Sequence, residues 1–162
     1  MTWWRRQRLP LAALLVAVAA VVGVQVWLSV IPASSRTAET IEVAQTDAEI
    51  AGQTLRVSQT RWDAFEAPTG SRTLSVHLES DGGPDAATCG PFVLTEPATD
   101  RSWQESTSIL DVPYDAGERS CIESSAPYGI LTVFLVPDDA DGPFFFDVRG
   151  PDQVTARFLV EP

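Results

Sequence analysis

An uninterrupted apolar run near the N-terminus, Leu9 to Ile31, constrains this chain more than any other feature. The run carries no charged residue, and only Gln25 and Ser29 within it are clearly polar. At a rise of about 1.5 Å per residue it would form a helix of roughly 34 Å, whereas the hydrocarbon core of a bilayer is about 30 Å thick. The sequence therefore predicts a single transmembrane helix at residues 9–31.

The charges on either side of this run predict its direction. Arg5, Arg6 and Arg8 precede it with no acidic residue among them, and the acidic residues begin at Glu39. Arginine beside a span holds that end in the cytoplasm. We therefore expect a cytoplasmic N-terminus at residues 1–8, a single pass through the cell membrane, and an extracytoplasmic C-terminal domain.

A cleaved secretory signal is the alternative to a permanent anchor. Ala33 and Ser35 would occupy the −3 and −1 positions of a cleavage site. Against this, the apolar run is longer than the roughly 7–15 residues of a signal-peptide core, and no A-x-A sequence follows it. An uncleaved signal anchor is favoured, and both interpretations export the same domain.

The exported part is strongly acidic. Residues 32–162 contain 8 arginines and 22 acidic residues, a net charge of −14. This charge argues against nucleic acid and anionic lipid surfaces as partners, because both bind cationic surfaces. Beyond the membrane crossed by the single span, the partner that the sequence favours is a membrane protein or another envelope component beside the anchor. No cofactor is predicted.

The chain has two cysteines, Cys89 and Cys121, and both lie in the exported part. An even number of cysteines in an oxidising compartment is typical of a disulfide. A redox C-x-x-C pair needs closer spacing, and a zinc site needs more ligands than two cysteines and the single His77 provide. The sequence therefore predicts a structural disulfide, which would stabilise the fold by about 3–4 kcal/mol in the chain-entropy model.

Two segments follow the apolar run. Residues 32–48 are small and polar and predict an extracytoplasmic stalk, with a first edge strand around Ile41 and Val43. From Glu49 onward apolar and polar side chains alternate with a period of two, which is typical of strands with one buried face. The strands predicted in this way span 54–62, 72–79, 92–95, 100–104, 109–112, 129–136, 144–148 and 153–161.

This pattern predicts an all-β fold. Short strands separated by Gly, Pro and Asp, with no long helical period outside the anchor, favour an antiparallel β-sandwich at residues 49–162. In the strand predicted at 54–62 the alternation places Leu55, Val57 and Gln59 on one face. Gly129 to Val136 is apolar on both faces, which predicts a central position in a sheet.

Several stretches in this order resemble a known group of proteins. They are "AGQTLRVSQTRW", "TLSVHLES", "FVLTEPATDRSW" and "YGILTVFLVPDDADGPFFFDV", after an anchor and an acidic stalk. The chain resembles the membrane-anchored immunoglobulin-like domains of unknown function that are common in actinobacteria. The resemblance implies an immunoglobulin-like sandwich, and it supplies no catalytic residues.

No familiar catalytic motif is present in the sequence. His77 falls on the polar face of a predicted strand, there is no G-x-S-x-G sequence, and the absence of lysine removes a Ser-Lys dyad. We therefore expect no enzyme; the alternatives are a cell-envelope enzyme or sensor that uses acidic residues, or a Ca²⁺-dependent structural module. Asp138, Asp139 and Asp141 are candidate Ca²⁺ ligands, since carboxylates in a loop suit hard cations, although a solvated turn explains them equally well.

Three aromatic residues are candidate partner contacts. Trp62 and Trp103 could line a binding surface or pack at the rim of the core. Phe144, Phe145 and Phe146 are consecutive, so in a strand they must point to alternate faces. Phe145 is the candidate for an exposed aromatic. These residues favour a binding or positioning module for another envelope component.

Overall fold

The computed structural model describes residues 14, 17–25, 40–44, 46–151 and 154–162. The chain divides into two units, Met1–Ala38 and Glu39–Pro162. In the first unit the described residues are helical. Among the residues described, no helix is both long enough and apolar enough to cross a bilayer. Much of the span predicted at residues 9–31, all of 1–8 and most of the predicted stalk lie outside the described residues.

The described part of the second unit contains nine strands. Most of these strands have alternating apolar and polar side chains. Several begin or end within one or two residues of the predicted bounds. The strands are β1 (Thr40–Ala44), β2 (Asp47–Ile50), β3 (Gln53–Trp62), β4 (Ser71–Ser80), β5 (Phe92–Glu96), β6 (Arg101–Gln104), β7 (Tyr128–Pro137), β8 (Phe144–Arg149) and β9 (Val154–Val160).

The strands form two sheets that pack face to face as a β-sandwich. The five-stranded sheet has the order β1-β9-β8-β5-β6, and the four-stranded sheet has the order β2-β3-β4-β7. Neighbouring strands are antiparallel except β1 and β9, which are parallel. The inward side chains of both sheets form one hydrophobic core. The predicted sandwich is confirmed.

Phe146 of β8 lies near the centre of this core. It is fully buried, and its ring is 5.8 Å from Phe92, 5.9 Å from Phe134 and 6.3 Å from Phe158 between centroids. Phe134 belongs to the four-stranded sheet and the other two to the five-stranded sheet. The cluster therefore joins the two sheets.

The first two strands each form one edge of a sheet. β1 pairs with β9 through Thr40–Ala44, and β2 pairs with β3 through Asp47–Ile50. Residues 40–44 and 47–48, which the sequence predicts as part of the stalk, are thus strand residues. The expected edge strand around Ile41 and Val43 is β1, because alternating side chains let this segment pair with the edge of β9.

A β-bulge in β3 changes the face to which its side chains point. The register with β4 shifts between Val57 and Gln59. Leu55 and Val57 point inward, as predicted, but Gln59 is exposed, and Thr60 and Trp62 take the inward positions. The prediction for Gln59 is wrong because one extra residue in a strand inverts the alternation that follows it.

β7 lies at the edge of the four-stranded sheet, so the predicted central position is wrong. Both of its faces are buried because the segment 105–127 covers its outer side and bridges its backbone at Glu105 and Glu118. The strand predicted at 109–112 is also wrong, since these residues lie in turns and irregular structure of that segment. Leu110 and Val112 are apolar because they pack on β7. The second cluster formed in this way contains Phe65, Leu110, Val112, Leu131 and Val133.

Cys89 and Cys121 form a disulfide, as predicted, with their Cα atoms 4.9 Å apart. Cys121 is fully buried and Cys89 nearly so, and both belong to the main core. The bond ties the residues before β5 to the segment 105–127. It therefore fixes the cover of β7 to the body of the sandwich.

A two-residue turn joins β2 to β3. Ile50 pairs with Gln53, and the two turn residues Ala51 and Gly52 have φ angles of +52° and +70°. Two positive φ angles are the mark of a type I′ hairpin turn. A Cβ atom at Gly52 would lie 2.4 Å from the carbonyl oxygen of Asp85, so this position requires glycine.

Candidate binding surface

The outer face of the five-stranded sheet carries the aromatic residue that the sequence singled out. In β8, Phe144, Phe146 and Val148 point into the core and are fully buried. Phe145 points to the other side and is half-buried on the outer face. The three consecutive phenylalanines thus divide between two faces, as a strand requires.

An ion pair fixes the surroundings of Phe145. Arg157 of β9 lies opposite Asp147 of β8 and donates from Nε and Nη2 to its two carboxylate oxygens, both at 2.7 Å. The guanidinium carbon of Arg157 is 4.8 Å from the centre of the Phe145 ring. Bidentate pairing holds a guanidinium in a defined plane, so Arg157 supports one side of the ring.

Exposed apolar side chains extend the surface around Phe145. Leu159 lies directly opposite Phe145 across β8 and β9 and is 54% exposed. Val43 of β1, which pairs with Arg157, is 70% exposed, and Ile41 is 44% exposed. We call Ile41, Val43, Phe145 and Leu159 the Phe145 patch. It crosses three neighbouring strands, and contiguous exposed apolar residues are typical of contact surfaces.

The sequence pointed to only part of this patch. Leu159 fell at an outward position of the last predicted strand, and Ile41 and Val43 marked a possible edge strand, but nothing connected them to Phe145. The connection comes from the pairing of β9 with both β1 and β8. Pairing between strands distant in sequence leaves no local signal.

Trp62 and Trp103 lie elsewhere, at one end of the sandwich. Both are half-buried and meet the inward-facing Phe144 edge-on, at ring-centroid distances of 5.9 and 6.1 Å. Arginines cover them: the guanidinium carbon of Arg72 is 4.3 Å from the Trp62 ring, and that of Arg101 is 5.6 Å from the Trp103 ring. The structure therefore does not bring the two tryptophans onto the Phe145 patch.

Carboxylates hold both of these arginines. Arg72 donates to Asp63 at 2.9 Å, and this hydrogen bond raises the pKa of the guanidinium, with smaller contributions from the charges of Asp141 and Asp138. Arg101 donates to Asp139 at 2.9 Å.

Glu96 is the buried partner of Arg101. Only 6% of it is exposed, and it accepts hydrogen bonds from Thr99 and from Arg101, the latter at 2.8 Å. These bonds, with that of Thr99 the largest contribution, lower the pKa of the Glu96 carboxyl. Hydrogen bonds to the charged form favour that form, so Glu96 is held as a carboxylate.

The aspartates considered as Ca²⁺ ligands lie in the loop between β7 and β8. The carboxylate of Asp139 forms an ion pair with Arg101. The backbone amide of Asp138 donates to the carbonyl oxygen of Gly70 at 3.4 Å. Within the described ranges, no group of three or more His, Cys, Asp or Glu side chains is placed to hold a metal ion. The Ca²⁺ assignment of Asp138, Asp139 and Asp141 stays a prediction.

No protein-family model matches the chain, and no curated protein matches it in sequence. Solved structures similar to it include a candidate lipoprotein of Bacillus subtilis, with a TM-score of 0.48 and 10% identity over 73% of this chain and 39% of that protein. They also include an uncharacterised β-sandwich protein of Clostridium difficile, with a TM-score of 0.46 and 7% identity over 78% of this chain and 97% of that protein. The chain thus spans about two fifths of the Bacillus protein's length.

Proposed function

We propose that this chain is a membrane-anchored, extracytoplasmic β-sandwich without catalytic activity, which binds or positions another envelope component through the Phe145 patch. The observation that carries the proposal is the exposure of three aliphatic side chains, Ile41, Val43 and Leu159, beside a half-buried phenylalanine. Burying a fully exposed side chain of this kind contributes about 1.5–3 kcal/mol, so each of these partly exposed side chains would contribute a fraction of that value. Their joint burial would supply an apolar centre for a contact.

Two features support the extracytoplasmic position. The run Leu9–Ile31 with three preceding arginines has the composition of a signal anchor. The disulfide between Cys89 and Cys121 is of the kind that persists in oxidising compartments. A short connection between such an anchor and the sandwich would keep the Phe145 patch near the membrane, which raises its effective concentration toward a neighbouring membrane protein.

The strand order supports an immunoglobulin-like relationship. The order β9-β8-β5-β6 corresponds to strands G-F-C-C′ of a variable-type domain, and β3-β4-β7 corresponds to A-B-E. The disulfide differs, because it joins two irregular segments and not the strands equivalent to B and F, which are β4 and β8. On this assignment the chain is related in topology to the actinobacterial immunoglobulin-like domains that its sequence resembles.

The use of its carboxylates supports a role without catalysis. Among the described residues the most buried carboxylates are those of Glu96 and Asp147. They accept hydrogen bonds from Arg101 and Arg157 within pairs that hold neighbouring strands together. A general acid or base needs a pKa near the working pH, whereas the pKa of Glu96 is lowered. Both groups are engaged in holding neighbouring strands together.

The proposal is tested by the size of the complex that contains the chain after mild detergent extraction of membranes. We expect wild type to migrate in a complex larger than the chain alone, and Leu159→Glu to be released from it. Ile109→Glu is the matched control, because Ile109 is an aliphatic residue, 75% exposed, in the segment that covers the other sheet. Loss of the complex in both variants, or in neither, would contradict a role for the patch.

A further inference from the structure

β3 has an open edge beyond the end of β2. β2 pairs only with Gln53 to Arg56 of the ten residues of β3. Within the described residues, no strand pairs with Val57–Trp62 on the side opposite β4. At about 3.3 Å per residue this open edge is roughly 20 Å long.

The direction of the backbone groups at this edge follows from one hydrogen bond. The amide of Asp63 donates to the carbonyl oxygen of Thr73 at 2.8 Å, so the backbone of Asp63 faces β4. Because alternate residues of a strand direct their backbone groups to opposite sides, Thr60 and Trp62 present their N–H and C=O groups to the open edge. The bulge lies before them, and Gln59–Trp62 keep regular register with β4.

A groove of about 640 Å³ runs beside the open edge. Residues 56–60 of β3 line one side, residues 158–161 at the end of β9 line the other, and residues 46–47 lie between them. The groove includes Val57 and the exposed Leu159, so it offers apolar contacts next to unpaired backbone groups.

β2 shows which side chains this edge accepts. Its residues alternate between exposed acids and buried apolar residues: Asp47 and Glu49 point outward, and Ala48 and Ile50 point inward. Asp47 lies 3.7 Å from Arg56 of β3. Farther along the open edge Arg61 is exposed and has no ion-pair partner in the described part of the chain.

We propose that the open edge of β3 binds an extended segment of a partner polypeptide, which adds to the four-stranded sheet beyond the end of β2. Unpaired backbone amides and carbonyls in a row are matched by another extended backbone, the mode known as β-strand addition. The bound segment alternates apolar side chains, which face the groove, with polar ones, of which an acidic residue lies beside Arg61. This contact shares Leu159 with the Phe145 patch, but it depends on the backbone of β3, whereas the patch also needs Val43 of β1. Thr60→Pro and Val43→Glu therefore distinguish the failure of one contact from the failure of the other.

The probe is a fluorescein-labelled decapeptide that alternates valine and glutamate, titrated with the full-length chain in phosphatidylcholine nanodiscs and followed by fluorescence anisotropy. Physiological ionic strength, where the Debye length is about 8 Å, limits repulsion by the acidic domain. We expect saturable binding.

Two further peptides carry N-methyl groups either on every valine amide or on every glutamate amide. Since one set of amides faces β3, one of these peptides loses at least tenfold in affinity and the other keeps its affinity.

Variants of the chain test the same contact from the other side. Thr60→Pro removes the outward N–H and abolishes binding. Thr60→Val loses the long hydrogen bond of 3.4 Å that the Thr60 hydroxyl donates to the carbonyl oxygen of Glu161, but it keeps the N–H and preserves binding. Arg61→Glu weakens binding about two- to fivefold, the effect of one cross-strand charge pair; Arg119→Glu, with the same change in net charge, leaves it unchanged. Circular dichroism verifies that each variant is folded, and the methylated peptides decide the outcome if Thr60→Pro does not fold.

Three results would overturn the proposal. One is the absence of saturable binding, and another is equal binding of both methylated peptides. The third is concentration-dependent dimerisation of the chain, lost in Thr60→Pro, without peptide binding, since it would assign the edge to a second copy of the chain.

Discussion

The two adjacent phenylalanines of β8 provide a sensitive test of the sandwich. Phe146 is fully buried and contacts three other aromatic rings, whereas Phe145 is half-buried on the outer face. Removing a fully buried phenylalanine costs about 3–5 kcal/mol. We therefore expect Phe146→Ala to lower the free energy of unfolding by about 4 kcal/mol. Phe145→Ala leaves most contacts in place and should cost about 1 kcal/mol or less, the range of a single cross-strand pair.

The expected difference is large enough to measure by thermal unfolding. A unit of roughly 120 residues has an unfolding entropy of about 0.25 kcal/mol/K, so 4 kcal/mol corresponds to a decrease in Tm of about 16 °C and 1 kcal/mol to about 4 °C. Circular dichroism of the full-length chain follows both variants under identical conditions. A shift of one residue in the register of β8 would exchange the two faces, so equal or inverted losses would refute the assigned orientation.

Three further changes test individual features. Ala51→Asn should stabilise the fold by about 0.5–1 kcal/mol in urea denaturation, because asparagine tolerates the positive φ at the first position of a type I′ turn better than alanine; a loss of stability would contradict the turn type. Replacing Cys89 and Cys121 together by serine should lower the free energy of unfolding by about 3–4 kcal/mol, and an unchanged urea midpoint would show that the bond contributes nothing. Glu96→Gln should make stability fall less steeply with decreasing pH. The pKa of Glu96 is lowered in the folded state, so the unfolded chain binds the proton first as the pH falls below about 4.3. Wild type therefore loses stability in this pH range, and the variant loses less. Parallel acid limbs would rule out this role of Glu96.

Much of the sandwich follows from local pattern. Leu74, Val76 and Leu78 alternate with more polar residues and are buried, as period two requires. The disulfide follows from the number of cysteines and their position after the predicted signal anchor. These features depend on short stretches of sequence, which is why they can be read without knowledge of strand pairing.

The errors have a common physical origin in contacts between distant segments. The apolar pattern of β7 comes from the cover provided by the segment 105–127 and not from a central position. Gln59 is exposed because of the bulge, which no residue near it in the sequence predicts. The Phe145 patch likewise requires β1 to pair with β9 over more than a hundred residues. Local periodicity reports burial, but it does not report which element provides it.

Photo-crosslinking in intact membranes tests whether the Phe145 patch contacts another envelope component. A photoreactive amino acid is placed at Leu159 in the full-length chain, and a second chain carries it at Ile109, a more exposed aliphatic position outside the Phe145 patch. We expect a discrete adduct with another envelope component from Leu159 and none from Ile109, and loss of that adduct when Val43→Glu is added. Identical adducts from both positions, or no adduct from Leu159, would exclude binding through the Phe145 patch.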